Sequence, residues 1–149
     1  MNEDFRDLLR ALLDRGARFL VVGAHAMAVH GIPRATGDLD VWIVPEPENA
    51  RRVMEALSRF GAPLAAVDVS CTDFLREDQV VQIGLPPRRI DLLTSISGVG
   101  FAEAWEGRVT RQVEGMAIPF LGREDLVRNK RASRRAKDLA DLEALGETI

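Results

Sequence analysis

At 149 residues, 46% of them hydrophobic, the chain can bury one ordinary core, so residues 1–149 are expected to fold as a single domain. Its 20 basic and 23 acidic residues give a formal charge of -3, which excludes a whole-molecule field that gathers polyanions and leaves only local patches for nucleic acid. The lone Cys71 excludes an internal disulfide framework, the start MNEDFRDLLR lacks the basic and apolar regions of a leader, and no apolar run approaches the roughly 20 residues of a membrane span, so the cytoplasm is the expected compartment.

Phe5, Leu8, Leu9, Leu12 and Leu13 recur on one face of a first amphipathic helix that Gly16 stops. Phe19 to Val22 reads as a buried strand running into Gly23, and Ala24 to His30 as a short helix ending at Gly31. From Asp38 to Val44 the chain alternates, with Asp38, Asp40 and Trp42 on one face of a second strand and Leu39, Val41 and Ile43 on the other. Glu48 to Phe60 carries the apolar stripe Ala50, Val53, Met54 and Leu57 of a third helix, punctuated by Gly61 and Pro63. Leu64 to Glu77 shows no clear period.

Val80 to Ile83 and Ile90 to Thr94 predict two strands joined by Gly84-Leu85-Pro86-Pro87-Arg88-Arg89. A short helix near Phe101 to Trp105 precedes a second hairpin, Arg108 to Val113 and Ala117 to Leu121, in which Pro119 weakens the second segment. Arg123 to Lys130 and Lys137 to Leu145 predict two helices, forming a helical C-terminal segment over about 123–149. The order predicts an α/β (α+β) fold, a mixed β-sheet flanked by helices, with strand order left open.

Aspartates at i and i+2 on a strand project from one face, where a single divalent ion can be gripped by both; Asp38 and Asp40 have this spacing. Asp is disfavoured in strands and like charges repel, so something must offset the cost. The plainer reading is a solvated strand face. Gly23-Ala24 at a strand-to-helix junction offers backbone N–H groups to phosphate, or simply makes a tight connection. Asp91, between apolar neighbours, is either a third carboxylate of the site or a structural acid paired with Arg88 or Arg89. His25 and His30 lack a third ligand for zinc; His30 suits packing or capping, and His25 either packs or lines a nucleotide pocket.

Taken together, G-A-H-A at 23–26, the D-L-D pair and the R-I-D-L-L strand resemble the DNA polymerase beta-like nucleotidyltransferase superfamily over most of the chain. More narrowly, R-A-T-G-D-L-D-V, P-P-R-R-I-D-L-L-T and N-K-R-A-S-R-R-A-K-D-L-A-D-L resemble the small stand-alone bacterial members found alone or in toxin-antitoxin and abortive-infection systems. The resemblance implies the nucleotidyltransferase fold. It gives Asp38 and Asp40 the ions that bind a triphosphate, Asp91 the completion of the metal site beside an acceptor hydroxyl, and Lys130 and Lys137 a nucleotide-binding role. Arg34 and Thr36 fall in the loop that would pass the triphosphate, with a solvated loop as the alternative. In the family's first motif Gly is usually followed by Gly or Ser; here Ala24 offers no hydroxyl, although its backbone N–H remains.

Oxygen ligands of this kind suit Mg²⁺, with Mn²⁺ as a substitute. The implied activity is transfer of a nucleoside monophosphate from a nucleoside triphosphate to a hydroxyl on a protein, a tRNA end or a small molecule. The alternative is a non-catalytic nucleotide-binding or antitoxin-type module with the same fold. A homodimer or a toxin or antitoxin partner is expected, because the chain has no obvious acceptor-binding domain.

Overall fold

The apolar period of the first segment becomes α1 (Glu3–Asp14), whose Asn2 cap accepts a hydrogen bond from the Phe5 backbone N–H at 2.9 Å. The computed structural model describes residues 1–34, 37–61, 70–85 and 88–149. After α1 come β1 (Phe19–Val22), α2 (Gly23–Val29), β2 (Leu39–Ile43), α3 (Pro47–Phe60), β3 (Val80–Ile83) and β4 (Ile90–Leu93). The chain closes with α4 (Phe101–Glu106), β5 (Val109–Val113), β6 (Met116–Phe120), α5 (Arg123–Ser133) and α6 (Ala136–Ala144).

Six strands form one mixed sheet in the order β3-β4-β2-β1-β6-β5. β1 runs antiparallel to β2 and parallel to β6, β2 runs parallel to β4, and β3 and β5 pair antiparallel at the two ends. The period-2 alternation of the strands divides the interior in two. Phe19, Val21, Val41, Ile43 and Leu92 pack with Leu8, Leu9 and Leu12 of α1 and with Val53 and Leu57 of α3. On the opposite face Leu20, Val22 and Trp42 pack with Met27 of α2, Ala104 of α4, Leu126 of α5 and Leu142 of α6. Each fully buried Leu or Phe contributes roughly 1.5–3 kcal/mol, and a one-residue slip of β2 would carry its acids into the first cluster, so burial fixes the register.

This arrangement removes the solvated-face reading of β2. Trp42, on the face of Asp38 and Asp40, is 2% exposed, and its ring meets Phe101 edge-on with centroids 5.0 Å apart. Asp38 itself lies one residue before the strand, which begins at Leu39. Within the stretch that had no clear period, Cys71–Phe74 forms one turn of 3-10 helix capped by Ser70 and Asp73, and 62–69 lie outside the described residues. Pro86 and Pro87 of the β3–β4 connection lie outside them as well.

Pro119 sits inside β6 despite its missing donor. The Leu121 N–H reaches Val21 of β1, so the nitrogen of residue 119, two positions earlier, also faces β1. There β6 is registered with β1 only at Val21↔Phe120, so little is lost.

Candidate active site

Asp40 and Asp91 are direct register partners on the parallel strands β2 and β4. The pairing sets two carboxylates side by side at one end of the sheet, and Asp38 adds a third from the residue that leads into β2. With both strands held by apolar neighbours, Asp40 and Asp91 stay at their registered positions. Asp91 is only 9% exposed. Burial first, then the Asp91 carboxylate, against the pull of Lys137 and with help from Asp38, pushes the Asp40 carboxyl up from 3.8 to about 6.

Gly23, at the β1–α2 junction, has φ +68°, and a β-carbon there would lie 2.3 Å from Asp40 Oδ2. The backbone is therefore bare because an acid occupies the space that a side chain would need. Gly23 and Ala24 form one wall of a cleft of about 1010 Å³, at the upper end of the roughly 300–1,000 Å³ typical of small-molecule sites. Asp38, Asp40, Asp91, Arg34, Arg89, Lys130, Arg135 and Lys137 also line it. Asp40 and Asp91 stand on the sheet, and facing them are Lys130 of α5, Arg135 at the start of α6 and Lys137 of α6, together with Asp141, which lines the cleft as well.

Arg89, for which the sequence offered only a structural pairing with Asp91, joins the acids. Its Nη2 lies 2.9 Å from Asp38 Oδ2 and its Nε 3.1 Å from Asp91 Oδ1. The second contact lacks hydrogen-bond alignment, and both atoms are buried without a hydrogen-bond partner among the described residues.

Lys130 differs from the reading that gave it to the nucleotide. It is 4% exposed, with Nζ 3.3 Å from Asp138 Oδ1 and 2.9 Å from Asp141 Oδ2. Asp138 is wholly buried and also accepts from the Arg135 backbone N–H at 3.0 Å, from Arg135 Nε at 2.9 Å and from the Ser133 hydroxyl at 2.6 Å. Burial pushes the Asp138 carboxyl up, but these bonds outweigh it and hold it well below the usual carboxylate range. Asp138, buried, and Asp141, half-buried, thus join α5 to α6 through Lys130. Arg34 reaches Asp141 from the loop after α2. Lys137, next to Asp138, is exposed on the cleft side, and among the described residues no carboxylate lies within ion-pair distance of it.

His25 is not brought to the cleft. Each residue of a helix turns by about 100°, so when Gly23 and Ala24 face the cleft, His25 faces α1. Its ring meets Phe5 edge-on at 5.7 Å, Nδ1 is buried without a partner among the described residues, and burial, aided by the N-terminal ammonium, lowers its pKa. His30 caps α2 and its Nε2 bonds the Leu121 carbonyl at 2.8 Å, in keeping with a packing or capping role. Thr36 lies outside the described residues.

Among the described residues, no three His, Cys, Asp or Glu side chains stand close enough together to hold a metal ion. The donor set nevertheless suits a hard divalent cation: Asp40 and Asp91 are adjacent, Asp91 Oδ1 is a buried acceptor without a hydrogen bond among the described residues, and Asp38 is engaged by Arg89 at the edge of the pair. No helix of the described residues is long and apolar enough to cross a membrane.

The family described as "Nucleotidyltransferase of unknown function (DUF6036)" matches residues 2–146. Six chains of solved structures match, among them a protein from Thermotoga maritima provisionally described as a nucleotidyltransferase, which is 18% identical with a TM-score of 0.57 over 98% of this chain and 92% of that one. At that identity the likeness speaks for the fold, a mixed sheet flanked by helices. No curated protein matches.

Proposed function

The chain belongs to this family of nucleotidyltransferases of unknown function, and from that premise we propose that it moves a nucleoside monophosphate from a nucleoside triphosphate to a hydroxyl acceptor, using Mg²⁺ or Mn²⁺. The observation that carries the proposal is the Asp40↔Asp91 register pair, with Asp38 beside it, in a cleft whose opposite wall presents Lys137.

In the proposed reaction the acceptor oxygen bonds to the α-phosphorus, the bond from that phosphorus to the bridging oxygen breaks, and pyrophosphate leaves. Asp38 and Asp40 would hold the cation, and Asp91 would complete the set on the acceptor side and take the hydroxyl proton. When bound, the cation supplies charge stabilisation at the attacking and leaving oxygens. Lys137 would offer an ammonium to the β- and γ-phosphates, and Gly23 and Ala24, which line the cleft, would offer backbone N–H groups to phosphate. Lys130 is not free for that task; its part is to fix α6 through Asp138 and Asp141 so that Lys137 faces the acids. The acceptor belongs to a protein, an RNA end or a small molecule, and the chain's place in a toxin-antitoxin pair is part of the same proposal.

A second reading, a nucleotide-binding or antitoxin-type module without turnover, draws on Ala24, which offers phosphate no hydroxyl. Calorimetry with ATP, CTP, GTP and UTP in the presence of Mg²⁺ tests the site: binding by the wild type, lost in Asp38→Ala/Asp40→Ala, supports it. Binding that persists in the double variant places the nucleotide elsewhere and refutes it. Pyrophosphate release on adding an acceptor separates the enzyme from the module.

A further inference from the structure

The acid cluster carries its own cation. Arg89 is held at its backbone, where its carbonyl accepts from the Leu39 N–H at 3.0 Å, between Asp38 and Asp40 in the sequence of β2. Its side chain is 31% exposed and leans across the cleft onto Asp38 and Asp91. Asp38 is held closely, at 2.9 Å, and two features set the contact with Asp91 apart from a structural ion pair. The Nε and Oδ1 atoms face each other at 3.1 Å without hydrogen-bond alignment, and the remaining bond to Asp91, from Nη2 to Oδ2, is long at 3.5 Å. The Asp138 network on α5 and α6, by contrast, gives its carboxylate aligned donors from Ser133 and Arg135.

We infer that Arg89 is the resting counter-ion of the acid cluster, a positioning residue that holds Asp38 at the edge of the cation site and gives it up when a divalent cation enters. The inference rests on the proposed cation-dependent reading of the same three acids. Asp40 and Asp91, set side by side by strand register, and Asp38 next to them repel one another unless positive charge stands among them. A guanidinium touching two of them with imperfect geometry supplies that charge at low strength, and a compact divalent ion supplies more from a smaller volume. Arg89 and the cation therefore compete for Asp38. Once released, the guanidinium remains inside the cleft, facing the space that phosphate charge would fill.

The experiment compares wild type, Arg89→Gln and Arg89→Lys at one neutral pH, with Mn²⁺ alone as probe, by calorimetry and by thermal unfolding with and without the ion. Without its competitor, Arg89→Gln should bind Mn²⁺ on the order of tenfold more tightly, unfold at a lower temperature than wild type when metal-free, and regain the difference when Mn²⁺ is added. Arg89→Lys keeps the charge and loses the fork, so it should fall between the two, and it carries the test if Arg89→Gln does not fold. Unchanged or weaker Mn²⁺ binding by Arg89→Gln, with wild type binding normally, overturns this inference alone. Mn²⁺ binding to none of the three proteins overturns the cation-dependent reading and the inference together.

Discussion

Replacing Asp40 by Asn should stabilise the protein at neutral pH while removing its ability to hold a cation. The Asp40 carboxyl is raised from 3.8 to about 6 in the folded chain, chiefly by burial and then by Asp91. A carboxyl raised in the folded state favours folding in its protonated form. That contribution is complete below the unfolded value near 4 and is lost as pH rises through about 6. At about 1.4 kcal/mol per pH unit, the interval from 3.8 to about 6 corresponds to on the order of 3 kcal/mol of unfavourable charge at pH 7.5. Asn has no charge to bury and nearly the same shape, so Asp40→Asn should be more stable than wild type at pH 7.5 by up to about that amount, and about equal at pH 4. Urea unfolding of both proteins at the two pH values measures the difference. An Asn variant no more stable than wild type at pH 7.5, or a gap that does not depend on pH, would refute the reasoning that the fold holds Asp40 charged at a cost.

Three further perturbations follow from the same geometry. Gly23→Ala puts a methyl group where Asp40 Oδ2 stands and a side chain at φ +68°, so it should cost roughly 1–3 kcal/mol in chemical denaturation and displace the carboxylate enough to weaken Mn²⁺ binding; equal stability and affinity would show that the junction relaxes. Lys137→Ala should leave the unfolding midpoint within error, since the side chain is exposed. The same change should weaken nucleoside triphosphate binding about 10- to 100-fold by calorimetry, the loss expected for one charge-assisted contact to phosphate. Asp138→Ala removes a fully buried carboxylate and strands Lys130 with only Asp141, at a cost of about 3–5 kcal/mol in urea unfolding. Because the Asp138 carboxyl is depressed in the folded state, its contribution is present above the unfolded value near 3.8 and fades as pH falls further, so the difference between variant and wild type should narrow in acid.

What the sequence displays is local: the i, i+2 spacing of Asp38 and Asp40, of which only Asp40 falls inside β2, and a strand running into a helix at Gly23. What approaches Gly23 is the Asp40 carboxylate, and that depends on the β1–β2 pairing, which no local pattern displays. The Asp40↔Asp91 pairing likewise depends on β2 and β4 running parallel, a long-range choice made by the packing of both sheet faces. The family resemblance sets Lys130 beside Lys137 in a nucleotide-binding role. The burial of Lys130 is decided by Asp138 and Asp141, one helical turn apart on α6, which return to it only after the chain reverses at Arg134, where φ is 49°. His25 was placed by its closeness to Gly23 in the chain, but the rotation of α2 sends it to Phe5 instead.

The central claim, nucleotidyl transfer through the Asp38, Asp40 and Asp91 site, is tested most directly by the fate of a label. The protein is incubated with Mg²⁺, an extract of protein and RNA as acceptor, and nucleoside triphosphates labelled at either the α- or the γ-phosphate. Label from the α-position alone should become attached to an acceptor, with pyrophosphate released, and Asp91→Asn should abolish the transfer. Label moving from the γ-position, α-label transfer that survives in Asp91→Asn, or bound nucleotide with no label moved by the wild type would contradict that claim.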